Sequence, residues 1–352
     1  MSSSAFTKTL TTWYRKNARD LPWRRTKDPY KIWISEIMLQ QTTVNAVISY
    51  FEKWTQTFPT VKDLAKSPLQ KVLAQWQGLG YYNRAKNLHR SAQLMVEEHS
   101  ARVPDDPDTA RGLPGFGPYT VGAVLSIAYD KKLPVIDANV RRVVMRLLSL
   151  EGEANTTQDK KVLEFLLKVL PDKNVGDFNQ ALMELGALVC RSKEPLCILC
   201  PVSKFCLAHK QGKQQIIPTP KKREVKDIEA VIAIIQNNGK YFIQKRPSKG
   251  LLADLWEFPG GKLEAGESHK EALIREVREE LEVEPKLVKY LFDVRHFYTQ
   301  FRVKLSVWQF EPKTLPQNDK IHKWISPKDF SKYAMPSGSA KIVDQLIHKK
   351  NP

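Results

Sequence analysis

Residues 113–143, LPGFGPYTVGAVLSIAYDKKLPVIDANVRRV, restrict the fold more than any other stretch of the 352-residue chain. Gly115 and Gly117 place a tight turn ahead of an apolar series, Val121, Val124, Leu125 and Ala128, at helical spacing. A turn that opens onto a helix N-terminus points free backbone N–H groups and the positive end of the dipole outward, which suits a phosphate oxygen. Asp137 follows the β-branched pair Val135 and Ile136 and precedes a second expected helix over 138–148. An ordinary turn, and a helix capped by Asp137 or Asn139, account for the same residues.

Charge narrows the choice of partner. A formal net charge of +18 with eight Trp and eleven Tyr favours a polyanion and supplies stacking surfaces for bases. The length allows two or three domains with their own cores. No run of eighteen apolar residues exists, and MSSSAFTKTLTTWYRK lacks an apolar signal core, so the expectation is a soluble, intracellular (cytoplasmic) protein with no membrane partner.

Upstream, residues 6–19 read as an amphipathic helix, and Asp28 with Pro29 caps and opens a longer one in which Ile37, Val44, Val47, Ile48 and Phe51 recur at helical spacing. Glu36 sits within that apolar run. Partial desolvation there would raise its pKa into the range of a general acid, although an exposed Glu on the polar side fits the same position. In QWQGLGYYNRAKNL, Gly78 and Gly80 flank Leu79 beside Tyr81 and Tyr82, a pattern suited either to wedging a base stack or to a helix connection with core aromatics. The four cysteines, Cys190, Cys197, Cys200 and Cys206, form C-x6-C-x2-C-x5-C with none left over. Disulfides are at odds with an intracellular chain; a four-thiolate zinc site and an iron–sulfur cluster remain.

After the cysteines, residues 207–226 are polar and basic and read as a linker. Strand-like runs follow, with EAVIAIIQ, NNG and KYFIQKR forming a hairpin pattern. Ser268 and Glu271 make a capping box, which places Glu276, Glu279 and Glu280 on one helix face. Those like charges repel unless a divalent cation such as Mg²⁺ joins them, and a solvated acidic face interleaved with Arg275 and Arg278 is the alternative.

The 113–143 stretch resembles the helix-hairpin-helix plus aspartate signature of the base-excision DNA glycosylases related to endonuclease III. ARDLPWRRTKDPYKIWISEIMLQQT resembles the N-terminal block of MutY-type adenine DNA glycosylases, and GGKLEAGESHKEALIREVREELEV resembles the Nudix box at Gly261, Glu267, Arg275, Glu276, Glu279 and Glu280, with Glu282 where the box has Gly. The resemblance implies an all-α glycosylase domain over 1–206 that includes a [4Fe–4S] loop at 190–206, the linker, and an α+β Nudix-like domain over 227–350. It implies a monomer acting on duplex DNA that contains adenine opposite 8-oxoguanine or guanine.

In that reading Glu36 protonates the departing adenine, and Asp137 stabilises or attacks the oxocarbenium-like sugar, the division of labour found in glycosidases. Tyr119 and Asn139 orient these groups. Trp23, Arg24 and Gln180 hold the adenine, Gln41, Leu79 and Tyr81 probe the base pair, and Gly115 and Gly117 take a DNA phosphate. Thr299, in the segment His296 to Gln300, falls in the family's 8-oxoguanine loop, where Gln300 replaces a His. Tyr119 stands where lyase relatives hold a Lys, so no amine is offered for a Schiff base and a monofunctional enzyme is expected. Rival readings are an endonuclease III-type pyrimidine-damage glycosylase, a pyrophosphohydrolase of nucleotides such as 8-oxo-dGTP with Mg²⁺ at Glu267, Glu276, Glu279 and Glu280, and a DNA-binding scaffold without catalysis.

Overall fold

The computed structural model describes residues 2–220, 224–298 and 300–348. Two units result, Met1–Lys66 with Asn87–Lys222, and Ser67–Lys86 with Arg223–Pro352.

The first unit is built from helices. Ser3–Asn17 buries Phe6, Leu10 and Tyr14, spaced four apart on one stripe, against Val175–Leu188 and Thr156–Val169. Val175–Leu188 also packs on Ala138–Leu147 and on Pro118–Tyr129, which explains why most of its residues are buried. Pro29–Leu39 lies on Pro118–Tyr129. The single long helix expected from Pro29 through Phe51 is two helices, Pro29–Leu39 and Val44–Thr57. The break has a backbone cause: Gln40 is extended and Gln41 takes φ 58°.

The segment expected as a linker is in part structural. Residues 207–210 form a helical turn, Ala208 and Ile217 join the core of the first unit, and the Thr219 N–H donates to the Gly152 carbonyl. Residues 67–86 pack with the C-terminal half of the chain.

The second unit is α+β. Strands β1 (Lys226–Ile234), β2 (Gln236–Asn237), β3 (Lys240–Lys245), β4 (Trp256–Glu257), β5 (Pro285–Tyr298), β6 (Phe301–Pro312) and β7 (His322–Ile325) form two sheets. One has the order β1-β6-β5, with β1 parallel and β5 antiparallel to β6; the other runs β2-β3-β4, with β7 on β3. The expected hairpin is therefore carried by β2 and β3, whereas the apolar run of β1 belongs to the other sheet. That run is continuous because both faces are covered: Val231, Ala233 and Ile235 pack with Ala272, Leu273 and Val277 of helix His269–Leu281, and Ile232 and Ile234 pack with Ile342 and Val343 of helix Ser337–His348. Among the described residues no helix is long and apolar enough to cross a membrane.

Candidate active site

Glu36 is placed by a helix that has almost no wet face. Asp28 caps it by accepting from the Tyr30 N–H at 2.9 Å, Pro29 opens it, and Tyr30 and Ile32 through Met38 are buried. Glu36 is consequently only 5% exposed. The Tyr119 hydroxyl, at the second position of Pro118–Tyr129, donates to Glu36 Oε2 at 2.6 Å. Burial pushes the Glu36 carboxyl up to about 7; the Tyr119 hydrogen bond opposes the rise and the charge of Asp137 adds to it. Burial, then the charge of Glu36, holds the Tyr119 phenol well above its ordinary range.

Asp137 is the N-cap of Ala138–Leu147, so the capping alternative is correct as local structure. Its Oδ1 accepts from the Val140 N–H at 2.6 Å, and its Oδ2 accepts from Asn139 Nδ2 at 3.0 Å. Asn139 Oδ1 in turn accepts from Arg142 Nη2 at 2.9 Å, and Arg142 Nε donates to the Cys190 carbonyl at 2.9 Å. Gly186 permits this packing: a Cβ there would stand 2.5 Å from Asn139 Cβ.

Trp23 is buried edge-on to Phe51. Gln180 is buried on Val175–Leu188. Arg24 is fixed by a residue that sequence reasoning missed. Glu184, one turn beyond Gln180 and 1% exposed, accepts Nη1 and Nη2 of Arg24 at 3.1 and 2.8 Å, and Nε and Nη2 of Arg19 at 2.8 and 2.7 Å. Burial alone would raise the Glu184 carboxyl, but the two guanidinium groups override it and hold it at about 2. The available signal was a lone acid in the apolar run NQALMELGALV, which asks for a partner without naming one.

The turn at 113–117 is exposed at Gly115 and Gly117, and Gly117 is the N-cap of Pro118–Tyr129. Gly115 takes φ 82°, where an added Cβ would also press on Asn87 at 3.1 Å. Ser91 Oγ donates to the Pro114 carbonyl at 2.7 Å and secures the loop. Gln41 is exposed. Leu79 is buried at 6% exposure, and Tyr81 is the more exposed of the two.

All four cysteines line one small pocket of about 20 Å³, partly open to solvent, together with Arg146, Val189, Leu196 and His209. Arg146, fully buried, donates to Cys190 Sγ at 3.2 Å, to the Arg191 carbonyl at 2.7 Å and to the Ile217 carbonyl at 2.7 Å, and its own carbonyl accepts from Cys206 Sγ at 3.3 Å, so it holds both ends of the cysteine loop. Among the described residues no three His, Cys, Asp or Glu side chains converge on one point as ligands of a single ion would.

In the second unit the capping box is present, with Ser268 and Glu271 satisfying each other's backbone N–H groups. The carboxylates expected to need a cation already meet one from the protein. Arg275 donates to both oxygens of Glu267 at 2.9 and 3.0 Å, to Glu276 at 3.0 Å and to Glu279 at 3.4 Å. Glu280 turns away and accepts from the Gly260 N–H at 2.9 Å. Glu282 is the helix C-cap at φ 56°, which is the conformational reason a Gly is usual there. Thr299 lies outside the described residues; its neighbour Phe297 is 70% exposed.

Comparison with known proteins agrees with this geometry. The HhH-GPD superfamily of base excision DNA repair proteins matches residues 34–172, and the NUDIX domain matches residues 230–345. The adenine DNA glycosylase of Buchnera aphidicola subsp. Acyrthosiphon pisum (strain APS) is 33% identical over 356 residues, covering 100% of this chain and 99% of the relative. The human adenine DNA glycosylase is 31% identical, covering 96% of this chain and 73% of its own length. A thermostable thymine-DNA glycosylase superposes with a TM-score of 0.54 at 30% identity, covering 59% of this chain and 97% of that one. A trapped endonuclease III–DNA covalent intermediate shares the fold, with a TM-score of 0.52 at 21% identity, covering 60% of this chain and 99% of that one. Identity of this kind along the whole chain, together with the HhH-GPD and NUDIX matches, makes the protein a member of the adenine DNA glycosylase family.

Proposed function

We propose that the chain hydrolyses the N-glycosidic bond of adenine paired with 8-oxoguanine, or with guanine, in duplex DNA. The observation that carries this reading is Glu36: a carboxyl 5% exposed, poised at about 7 and held by Tyr119 at 2.6 Å. A protonated Glu36 donates its proton to a ring nitrogen of the extruded adenine, so the base leaves neutral rather than as an anion. Asp137, its carboxylate fixed by Val140 and Asn139, balances the positive charge that develops on the sugar. Trp23, Arg24 and Gln180 line the side from which the base is held, and Gln41 and Tyr81 test the pair. The exposed turn at Gly115 and Gly117 receives a backbone phosphate at the helix N-terminus. Tyr119 presents a phenol where a lyase needs an amine, which supports simple hydrolysis without strand cleavage.

The cysteine cavity supports a [4Fe–4S] cluster. Four thiols with none left over line one pocket, the donor set such a cluster takes. Cys190, Cys197, Cys200 and Cys206 would hold it, and when bound it supplies a cross-link that closes residues 190–206 into a fixed loop. The second domain reads the 8-oxoguanine through the segment that contains Thr299. Its acidic helix is neutralised in part by Arg275, and Glu267, Glu276, Glu279 and Glu280 are the residues that would hold Mg²⁺ in a hydrolytic reading. The protein works as a monomer in the bacterial cytosol. Adenine release from an A:8-oxoguanine duplex tests the reading. Wild type should release the base, and Glu36→Gln should bind the duplex without releasing it; excision retained by Glu36→Gln would remove Glu36 as the acid.

A further inference from the structure

The loop 77–82 is held at both ends by one residue of the C-terminal half. The Met335 N–H donates to Gln77 Oε1 at 3.3 Å, and the Tyr82 hydroxyl donates to the Met335 carbonyl at 2.9 Å. Met335 and Tyr82 are both buried, so the two peptide groups of a single residue clamp the loop where it begins and where it ends. A second anchor lies beside it. Asp254, a non-glycine residue at φ 65°, meets Lys86 Nζ at 2.6 Å and Lys245 Nζ at 3.2 Å, while its carbonyl accepts from Gln70 Nε2 at 3.0 Å. From the helix that follows the loop, Arg84 Nη2 donates to the Leu79 and Gly80 carbonyls at 2.9 and 3.1 Å, and its guanidinium stands 5.6 Å from the Tyr81 ring centroid. Gly78, Gly80 and Tyr81 all take positive φ, so the loop follows a path that needs such external definition.

We propose that the C-terminal domain is a positioning element for base-pair probing: Met335 and Asp254 fix the 77–82 loop and thereby aim Tyr81 at the duplex. The inference rests on the adenine-excision reading above. It makes the second domain act on the base pair mechanically, through residues remote from its own acidic helix. Asp254 and Met335 touch neither base nor sugar and act through Lys86, Gln77 and Tyr82.

The test uses the full chain and an A:8-oxoguanine duplex carrying 2-aminopurine next to the lesion, whose fluorescence rises when the stack is opened. Asp254→Asn and Lys86→Met should each lower the fluorescence rise and the single-turnover excision rate by about tenfold, the scale of a small misplacement of a positioning group. Combining them should cost no more than either alone, and Lys86→Arg should restore what Lys86→Met loses. Tyr82→Phe, which removes one hydroxyl, should lower the fluorescence rise in the same direction with unchanged circular dichroism, and it decides the matter where Asp254→Asn fails to fold. Wild-type fluorescence and rate in Tyr82→Phe and in a folded Asp254→Asn, or additive losses in the double variant, would overturn the proposal. Failure of the wild type to release adenine would instead overturn the excision reading.

Discussion

The Tyr119 hydroxyl and Glu36 Oε2 lie 2.6 Å apart, and this hydrogen bond opposes the burial that raises the Glu36 carboxyl. Glu36 is raised from 4.5 to about 7, so it is protonated below that value and ionised above it. Excision under single-turnover conditions should be highest below neutrality and fall about tenfold per pH unit above it. The same shift has a stability consequence. A carboxyl whose folded value is raised contributes fully below its unfolded value and loses that contribution as pH rises through about 7. Glu36→Gln should therefore gain stability relative to wild type at pH about 8 and match it near pH 5. A flat pH–rate profile across neutrality would contradict the acid role.

Tyr119→Phe separates two roles of the phenol. Its hydrogen bond lowers the Glu36 value, so deletion should move the alkaline limb of the rate profile upward while reducing the maximum rate. Neither protein should trap on substrate with borohydride, since neither offers an amine at position 119. Efficient trapping of the wild type would show that another residue supplies a Schiff base.

Glu184 is the buried counter-ion of Arg19 and Arg24, and its removal leaves two guanidinium groups uncompensated. Glu184→Gln should destabilise the first unit by about 3–5 kcal/mol in urea unfolding. The sign with pH is opposite to that of Glu36. The Glu184 carboxyl is lowered to about 2, so its contribution is present above its unfolded value of 4.5 and is lost only as pH falls toward about 2. Stability of the variant equal to wild type would reduce the network to a surface feature.

Purified protein should be coloured, with chelation-resistant absorbance at roughly 400 nm from a cuboidal cluster. Cys200→Ser should lose the colour and loosen residues 190–217, measured as increased proteolysis at that loop. Colourless protein containing zinc would overturn the cluster.

Mixing the protein with 8-oxo-dGTP and Mg²⁺ should release no pyrophosphate, because Arg275 already engages Glu267, Glu276 and Glu279. Release that disappears in Glu279→Gln would make the second domain a hydrolase as well.

Much of the site was legible in the sequence because its parts are local. Asp28 and Pro29 announce the helix of Glu36, and the turn 113–117 announces that of Tyr119; both act over a few residues. What stayed hidden depends on long-range partners. Nothing near Glu184 in the chain points to Arg19, and periodicity could not register the single left-handed residue, Gln41, that splits the helix after Leu39. The pattern at 78–82 fitted a base-stack wedge and a helix connection with core aromatics alike, and the burial of Leu79 is decided by whatever the rest of the fold lays over the turn. Residues 67–86 group with a domain that begins about 140 positions later, and no local rule reaches that far.

Asp137 is both a helix cap and a candidate catalytic carboxylate, and the two uses are not in competition. A side chain that must accept from the Val140 N–H to let its helix start has surrendered its torsional freedom during folding. Whatever charge develops opposite it meets an anion that need not move, and the entropy of immobilising that anion was lost long before any substrate arrived.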